Sequence, residues 1–311
     1  MRILLWHVHG SWTTAFVQGR HEYLVPVLPG RGPDGRGRAR TWDWPASVVE
    51  VTPAELRDAE VDVVIVQRRE DDVLARAWTG RSLPTVWLEH NAPQGRINDM
   101  RHPAADRDDV VLVHVTHTNA LFWDSGSTPT TVIEHGIVDP GPCYTGDIPH
   151  SAVVVNEPVR RARVTGSDLL PWLAAIAPVD VFGMAVTPLA GPNVAVFDDL
   201  PQRRMHAELA RRRVYVHPIR WTSLGLSLLE AMHLGMPVVA LATTEVPDAV
   251  PRDAGVVSNR LEVLAAAVRR LLADPDEARA LGSAARQAAL ARYGLDRFLT
   301  DWDVLLKEVV S

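Results

Sequence analysis

With 311 residues, 47% of them hydrophobic and 23% charged, the chain has the composition of a globular protein and the length of about two domains. A net charge of −6 at pH 7 excludes an electrostatic match of the whole molecule to nucleic acid, and a single cysteine, Cys143, excludes an internal disulfide or a cysteine-built metal cluster. The apolar runs fall far short of the ~20 residues that span a bilayer, and the opening residues 1–6 are too short for a signal peptide, so the expectation is a soluble cytoplasmic protein.

Short β-branched runs alternate with helix-like stretches along the chain. Strands are expected at residues 2–8, 23–28, 48–51, 61–67, 85–89, 110–115 and 131–134, with helical stretches such as 71–78 between them. Alternation of this kind means a parallel sheet covered on both faces. Residues 139–149, rich in proline and glycine and without periodicity, read as a linker. A second series follows: strands at 152–155, 179–182, 194–197 and 214–216, helices at 167–176 and 201–212, then a strand at 237–241 and one at 255–257. Helices at 261–272, 275–292 and 295–310 complete the chain. The expected fold is α/β, two doubly wound Rossmann-like domains at 1–139 and 151–292, joined by 140–150, with a helix at 293–311 crossing back to the first domain. In such sheets ligands bind beyond the carboxyl ends of the strands, which directs attention to the loops there.

The segment from His217 to Val250 is the most informative. It contains His217-Pro218, Leu224-Gly225-Leu226, Glu230-Ala231-Met232 and Gly235-Met236-Pro237-Val238-Val239. In order and spacing these resemble the donor-binding segment of GT-B glycosyltransferases, family 4 in particular. That family carries two glutamates; Glu230 matches the second, which contacts the nucleotide ribose. The first falls on Thr222, with seven residues between the two positions. Weaker similarities lie at Val132–Asp139, at Glu89-His90-Asn91, which resembles the family's cleft histidine, and at residues 160–170, which resemble its diphosphate-gripping Gly-Arg…Lys-Gly element. There the arginine falls on Arg160 and the lysine on Thr165, with Arg161 and Arg163 placed to compensate. The resemblance implies a nucleotide-diphosphate sugar as co-substrate, no further cofactor, transfer with retention and without a metal, and a small-molecule, lipid or polymer acceptor.

The residues support this chemistry independently. A helix beginning near Ser223 would present the amides of Gly225, Leu226 and Ser227, beside Leu224, at a positive helix end suited to phosphate. Glu230 would lie about 7–8 Å further along the axis, the span from a diphosphate to its ribose. The alternative is a carboxylate that pairs with an arginine in the fold. Arg160, Arg161 and Arg163 would meet the diphosphate charge, unless the segment is only a solvated turn capped by Ser167 or Asp168. His90 would attend the sugar with Thr222, or be a structural histidine. Gly10, Ser11 and Trp12, read as a polar loop after the first strand, and Asn91 would face the acceptor. The loop 30–40 carries Arg31, Arg36, Arg38 and Arg40 ahead of Trp42 and Trp44; it is a solvated mobile loop or a grip for an anionic, sugar-bearing acceptor or a lipid phosphate, the last a peripheral membrane contact.

Other signals are weaker. His7 with His9, and His114 with His117, lack the accompanying carboxylates of a metal site. Asp301-Trp302-Asp303 falls within a helix and reads as a polar face. No Gly-Xaa-Gly-Xaa-Xaa-Gly follows a strand, and no nucleophile elbow is present. The expectation is a glycosyltransferase. The alternatives are a GT-B-like binding protein without transferase activity, or an epimerase or phosphorylase on the same fold. Oligomeric state is left open.

Overall fold

The computed structural model describes residues 1–96 and 98–311 and divides into two compact units, Met1–Val138 with Leu295–Ser311, and Asp139–Gly294. In the first unit the elements are β1 (Arg2–Leu5), α1 (Gly10–Phe16), β2 (Glu22–Pro26), β3 (Val48–Val51), α2 (Pro53–Asp58), β4 (Val63–Val66), α3 (Arg69–Thr79), β5 (Thr85–Glu89), β6 (Val110–His114), α4 (His117–Phe122) and β7 (Thr130–Val132). The second holds β8 (Ile148–Val154), α5 (Pro158–Arg161), α6 (Leu170–Ala174), β9 (Val179–Gly183), β10 (Val194–Asp198), α7 (Gln202–Leu209), β11 (Arg212–His217), α8 (Leu226–Leu234), β12 (Val238–Ala240), α9 (Val246–Ala249), β13 (Gly255–Val257), α10 (Leu261–Ala273) and α11 (Pro275–Tyr293). The last helix, α12 (Leu295–Val310), belongs to the first unit.

Each unit is built on one parallel sheet, ordered β3-β2-β1-β4-β5-β6-β7 in the first and β10-β9-β8-β11-β12-β13 in the second. Central strands such as β4, β5 and β9 are buried along their whole length, as expected where helices cover both faces. The strand order reverses between β1 and β4 and between β8 and β11, the positions at which doubly wound sheets open a crevice for ligands.

Local signals explain most helix ends. Thr52 and Glu55 form a reciprocal capping box at α2, and Asp274 caps α11 ahead of Pro275. On α12, Phe298, Trp302 and Leu306 recur at four-residue spacing and are buried; Trp302 meets Trp12 edge-on at 5.6 Å and Phe16 at 5.0 Å. Residues 139–147 are tied into the second unit by backbone bonds from Tyr144 to Leu234 and from Thr145 to Ala210.

Four expectations are corrected. Residues 10–13 are not a polar loop but the start of α1, with Trp12 fully buried among Phe16, Phe298 and Trp302. The helix expected at 167–176 is broken into a 3₁₀ turn, Ser167–Leu169, and α6; Pro171 lacks the N–H that a continuous helix needs at that point. Helix α8 begins at Leu226 rather than near Ser223, because Gly225 holds an extended conformation at φ −70°, ψ 117°. The arginine loop is pinned. Arg31 pairs with Glu50 at 2.8 Å, Arg38 bonds the carbonyls of Trp44 and Pro45, and Val27 and Arg36 form a bridge.

Candidate functional site

In the second unit the loops after β8 and β11, the two strands flanking the reversal of strand order, carry the expected donor residues. They lie against each other. Gly166, at φ 72°, packs on the Pro218 carbonyl so closely that a β-carbon would stand 2.0 Å from it. Arg220 locks the two loops: its N–H donates to Val164 O at 2.9 Å, and its guanidinium bonds the Arg163 carbonyl at 2.9 Å and Asp168 Oδ2 at 3.0 Å. The same guanidinium lowers the Asp168 pKa.

The arginines differ in availability. Arg160 is 70% exposed and pairs with Glu157; Arg163 is 75% exposed and pairs with Asp168 at 2.9 Å. Thr165 is fully buried, with its hydroxyl committed to the Ala162 carbonyl at 2.9 Å. Arg161 is half-buried and, among the described residues, has no side-chain hydrogen bond or ion pair; burial first, and Arg160 second, pull its pKa down. Glu157, already paired with Arg160, opposes that shift only in third place, and a partly desolvated cation of this kind gains from an added anion. The short helix that carries it, α5, runs between two residues in positive-φ conformations, Glu157 (φ 52°) and Ala162 (φ 41°). Further left-handed residues follow β9 (Ala185, φ 58°), β10 (Asp199, φ 47°) and β12 (Thr244, φ 49°). Each costs about 1–3 kcal/mol, and such strain collects at functional edges.

Gly225, Leu226 and Ser227 are half-buried at the start of α8, whereas Leu228 to Leu234 are sealed. The Leu226 and Ser227 amides precede the first intrahelical bond, Leu228 N–H to Gly225 O, and leave the helix end able to receive an anion. Tyr215 at the end of β11 donates to Ser227 Oγ at 3.0 Å and lies 3.2 Å from His217 Nδ1. The His217 ring fills the space over Gly225, where a β-carbon would lie 2.4 Å from Cε1, so only glycine admits this packing. Ser223 and Leu224 are buried and Thr222 is half-buried in the loop ahead of the helix.

Glu230 is 2% exposed on α8. Two side chains one turn apart on α7 approach it: Gln202 Nε2 donates to Oε1 at 3.3 Å, and His206 Nε2 lies 3.4 Å from Oε2. Gln202, His206 and Arg220 were not singled out from sequence. Their only signal was the amphipathic spacing of Gln202 and His206 and the position of Arg220 just after a strand.

In the first unit, His90 immediately follows β5 and is buried. It packs on His9, which follows β1, with ring centroids 4.0 Å apart, and stacks on His135, which follows β7, at 6.0 Å and 15°. Trp12 meets it edge-on at 5.4 Å. Burial, then the neighbouring His9 and His135, hold the His90 pKa well below 6.5; burial takes His135 down to about 3. At neutral pH His90 and His135 are uncharged and can each donate and accept a hydrogen bond, as a hydroxyl does. Gly10 and Ser11 are half-buried at the start of α1 beside this group, and the Asn91 side chain is exposed. Among the described residues no set of three His, Cys, Asp or Glu side chains is placed to hold a metal ion, and no helix is long and apolar enough to cross a membrane.

Comparison with known proteins follows the same division. Residues 188–288, within the second unit, match the family model described as Glycosyl transferases group 1. Curated protein sequences give no match. Among solved structures, sucrose-phosphate synthase from Thermosynechococcus elongatus is similar at a TM-score of 0.73 and 15% identity, over 99% of both chains. Anabaena HepE in complex with UDP-glucose is similar at 0.68 and 15% identity, over 99% of this chain and 100% of that one. A glycosyltransferase from Rickettsia africae gives 0.67 and 13%, over 100% and 98%. At such identities the likeness is one of fold: the chain has the α/β, Rossmann-like GT-B fold, and its second unit carries the segment similar to group 1 glycosyl transferases.

Proposed function

We propose that the protein is a glycosyltransferase that moves a sugar from a nucleoside-diphosphate sugar to a hydroxyl-bearing acceptor. The observation that carries this reading is that the loop after β8, with its half-buried Arg161, packs through Gly166 and Val164 on the loop after β11 that leads to the α8 helix end. Arg161 and the helix end meet the diphosphate, and Glu230 meets the ribose. The group 1 match over residues 188–288 supports the assignment, as does the fold shared with HepE, which has been solved with UDP and with UDP-glucose. Retention of configuration, transfer of a hexose and membership of family 4 follow from the motif resemblance.

The leaving diphosphate gains charge as the sugar departs. A half-buried guanidinium and the helix dipole stabilise that charge without a metal. Neutral His90, with His9 beside it, offers hydrogen bonds to hydroxyls on the sugar or acceptor, with Thr222 in the place of a sugar-facing carboxylate. That threonine favours one second reading, a nucleotide-sugar-binding protein without transfer.

Incubation with a panel of labelled nucleotide sugars and sugar or lipid acceptors separates the readings. Transfer supports the first, and binding without transfer the second. Absence of any nucleotide binding overturns both. Replacing Glu230 by alanine is expected to weaken nucleotide binding about 10-fold, the loss of a charge-assisted hydrogen bond pair. Unchanged affinity by calorimetry would remove Glu230 from the ribose site.

A further inference from the structure

The turn that presents His90 is held by side chains on every peptide around it. β5 ends on Glu89, which is 7% exposed. Glu89 Oε1 accepts the Asn91 N–H at 2.5 Å, and Oε2 lies 3.1 Å from His102 Nε2. His102 is itself buried, and its Nδ1 accepts the Ala104 N–H at 3.0 Å. The Nδ1 lone pair is thereby occupied, so the ring proton sits on Nε2 and is donated to Glu89. Trp87 and Trp123 hold the His102 ring edge-on, at 5.4 and 5.0 Å. Trp123 also donates through Nε1 to the Asn91 carbonyl at 2.9 Å; Asn119 Nδ2 donates to the same carbonyl at 3.3 Å and to the Glu89 carbonyl at 3.4 Å. The carbonyl before His90 and both backbone groups of the residue after it are therefore fixed.

We propose that Glu89 and His102 are positioning residues that set the backbone of His90 for sugar transfer. Burying a carboxyl and an imidazole among tryptophans is a poor route to stability, since an apolar pair of similar volume packs there without desolvating polar groups. What the polar pair adds is direction. The Glu89 oxygens and the His102 ring nitrogens have separate, defined partners, and the carbonyls of Glu89 and Asn91 are engaged as well, so the turn has one geometry. A carboxamide cannot replace the carboxyl. With its oxygen on Asn91, its NH2 would confront His102 Nε2–H, and the opposite ring tautomer would lose Ala104. Reacting groups misplaced by about 1 Å lose on the order of 100-fold in rate.

The inference rests on the transferase reading, in which His90 serves the reaction, and is tested on the full chain. Glu89→Ala is expected to lower kcat about 10- to 100-fold, with KM for the nucleotide sugar and UDP affinity by calorimetry within about two-fold, because the UDP contacts lie in the second unit. In a His90→Ala background the same substitution is expected to cost less than about two-fold, the signature of a residue acting through His90. An unchanged kcat in Glu89→Ala, or a full penalty persisting in the His90→Ala background, overturns the proposal. If Glu89→Ala does not fold, Glu89→Gln retains the Asn91 bond and carries the same comparison. If the wild type binds UDP but transfers no sugar, the transferase reading falls while the clamp remains testable by imidazole NMR. His90 is then expected to give one sharp set of ring resonances in the wild type and shifted or split ones in Glu89→Gln; identical spectra overturn the clamp.

Discussion

Arg160 and Arg161 are adjacent in the chain and differ in every property that matters for binding an anion. The Arg160 guanidinium is mostly in water and already paired with Glu157, so a phosphate would gain little from it. Arg161 has lost part of its hydration and, among the described residues, makes no side-chain hydrogen bond or ion pair. Charge-assisted hydrogen bonds to such a group contribute about 1.5–3 kcal/mol. Arg161→Ala is therefore expected to weaken UDP binding by about 10- to 100-fold, and Arg160→Ala by less than about three-fold, as read by calorimetry at constant salt. The reverse ranking would show that the Glu157 pair opens for the ligand and that alignment to the motif is the better guide.

Helix α8 owes its position to a close backbone approach. Gly282 on α11 lies against Gly235, the residue that ends α8, and a β-carbon at 282 would stand 2.0 Å from the Gly235 carbonyl oxygen and 3.2 Å from the Pro237 nitrogen. Two effects oppose each other for Gly282→Ala. Helix propensity favours alanine by about 1 kcal/mol, whereas overpacking against backbone, which has no rotamer to change, costs about 1–3 kcal/mol or more. The clash wins, so the variant is expected to have a lower urea midpoint. On the proposed reading it also weakens nucleotide binding, since α8 carries the amides assigned to the diphosphate and Glu230. A rise in stability would mean that the α8–α11 contact relaxes freely.

At the scale of the molecule, both units bury neutral histidines. Burial lowers His114 to about 4 and His135 to about 3 in the first unit, and His217 to about 3 in the second. Above pH 6.5 these rings are neutral whether the chain is folded or not, and they give no pH dependence. Below it the unfolded chain takes up protons that the native state refuses, so stability falls with pH until the folded values are reached. The slope is about 1.4 kcal/mol per histidine per pH unit. The thermal midpoints of both units are therefore expected to drop together between pH 7 and pH 5, by differential scanning calorimetry. Midpoints that stay level across that range would place these rings in contact with water.

The elements were largely legible in the chain, because alternating apolar runs and capping residues act locally. β3, β5, β13 and α12 fall where their patterns put them, and the motif order from His217 to Val239 lies within the segment similar to group 1 glycosyl transferases. Signals that depend on a partner distant in sequence were not. Trp12 reads as part of a polar turn until Phe298 and Trp302 of α12 cover it, and the arginine loop reads as mobile until Glu50 and the carbonyls of residues 44 and 45 engage it. By itself the sequence determined the class of fold and the residue types at the carboxyl edge of each sheet. Tertiary structure alone decided which of three arginines lacks an ion pair among the described residues, that Gln202 and His206 approach Glu230, and that His9, His90 and His135 share one packed group. Periodicity reports which face of an element is buried; which side chains meet there depends on the sheet that brings distant strand ends together.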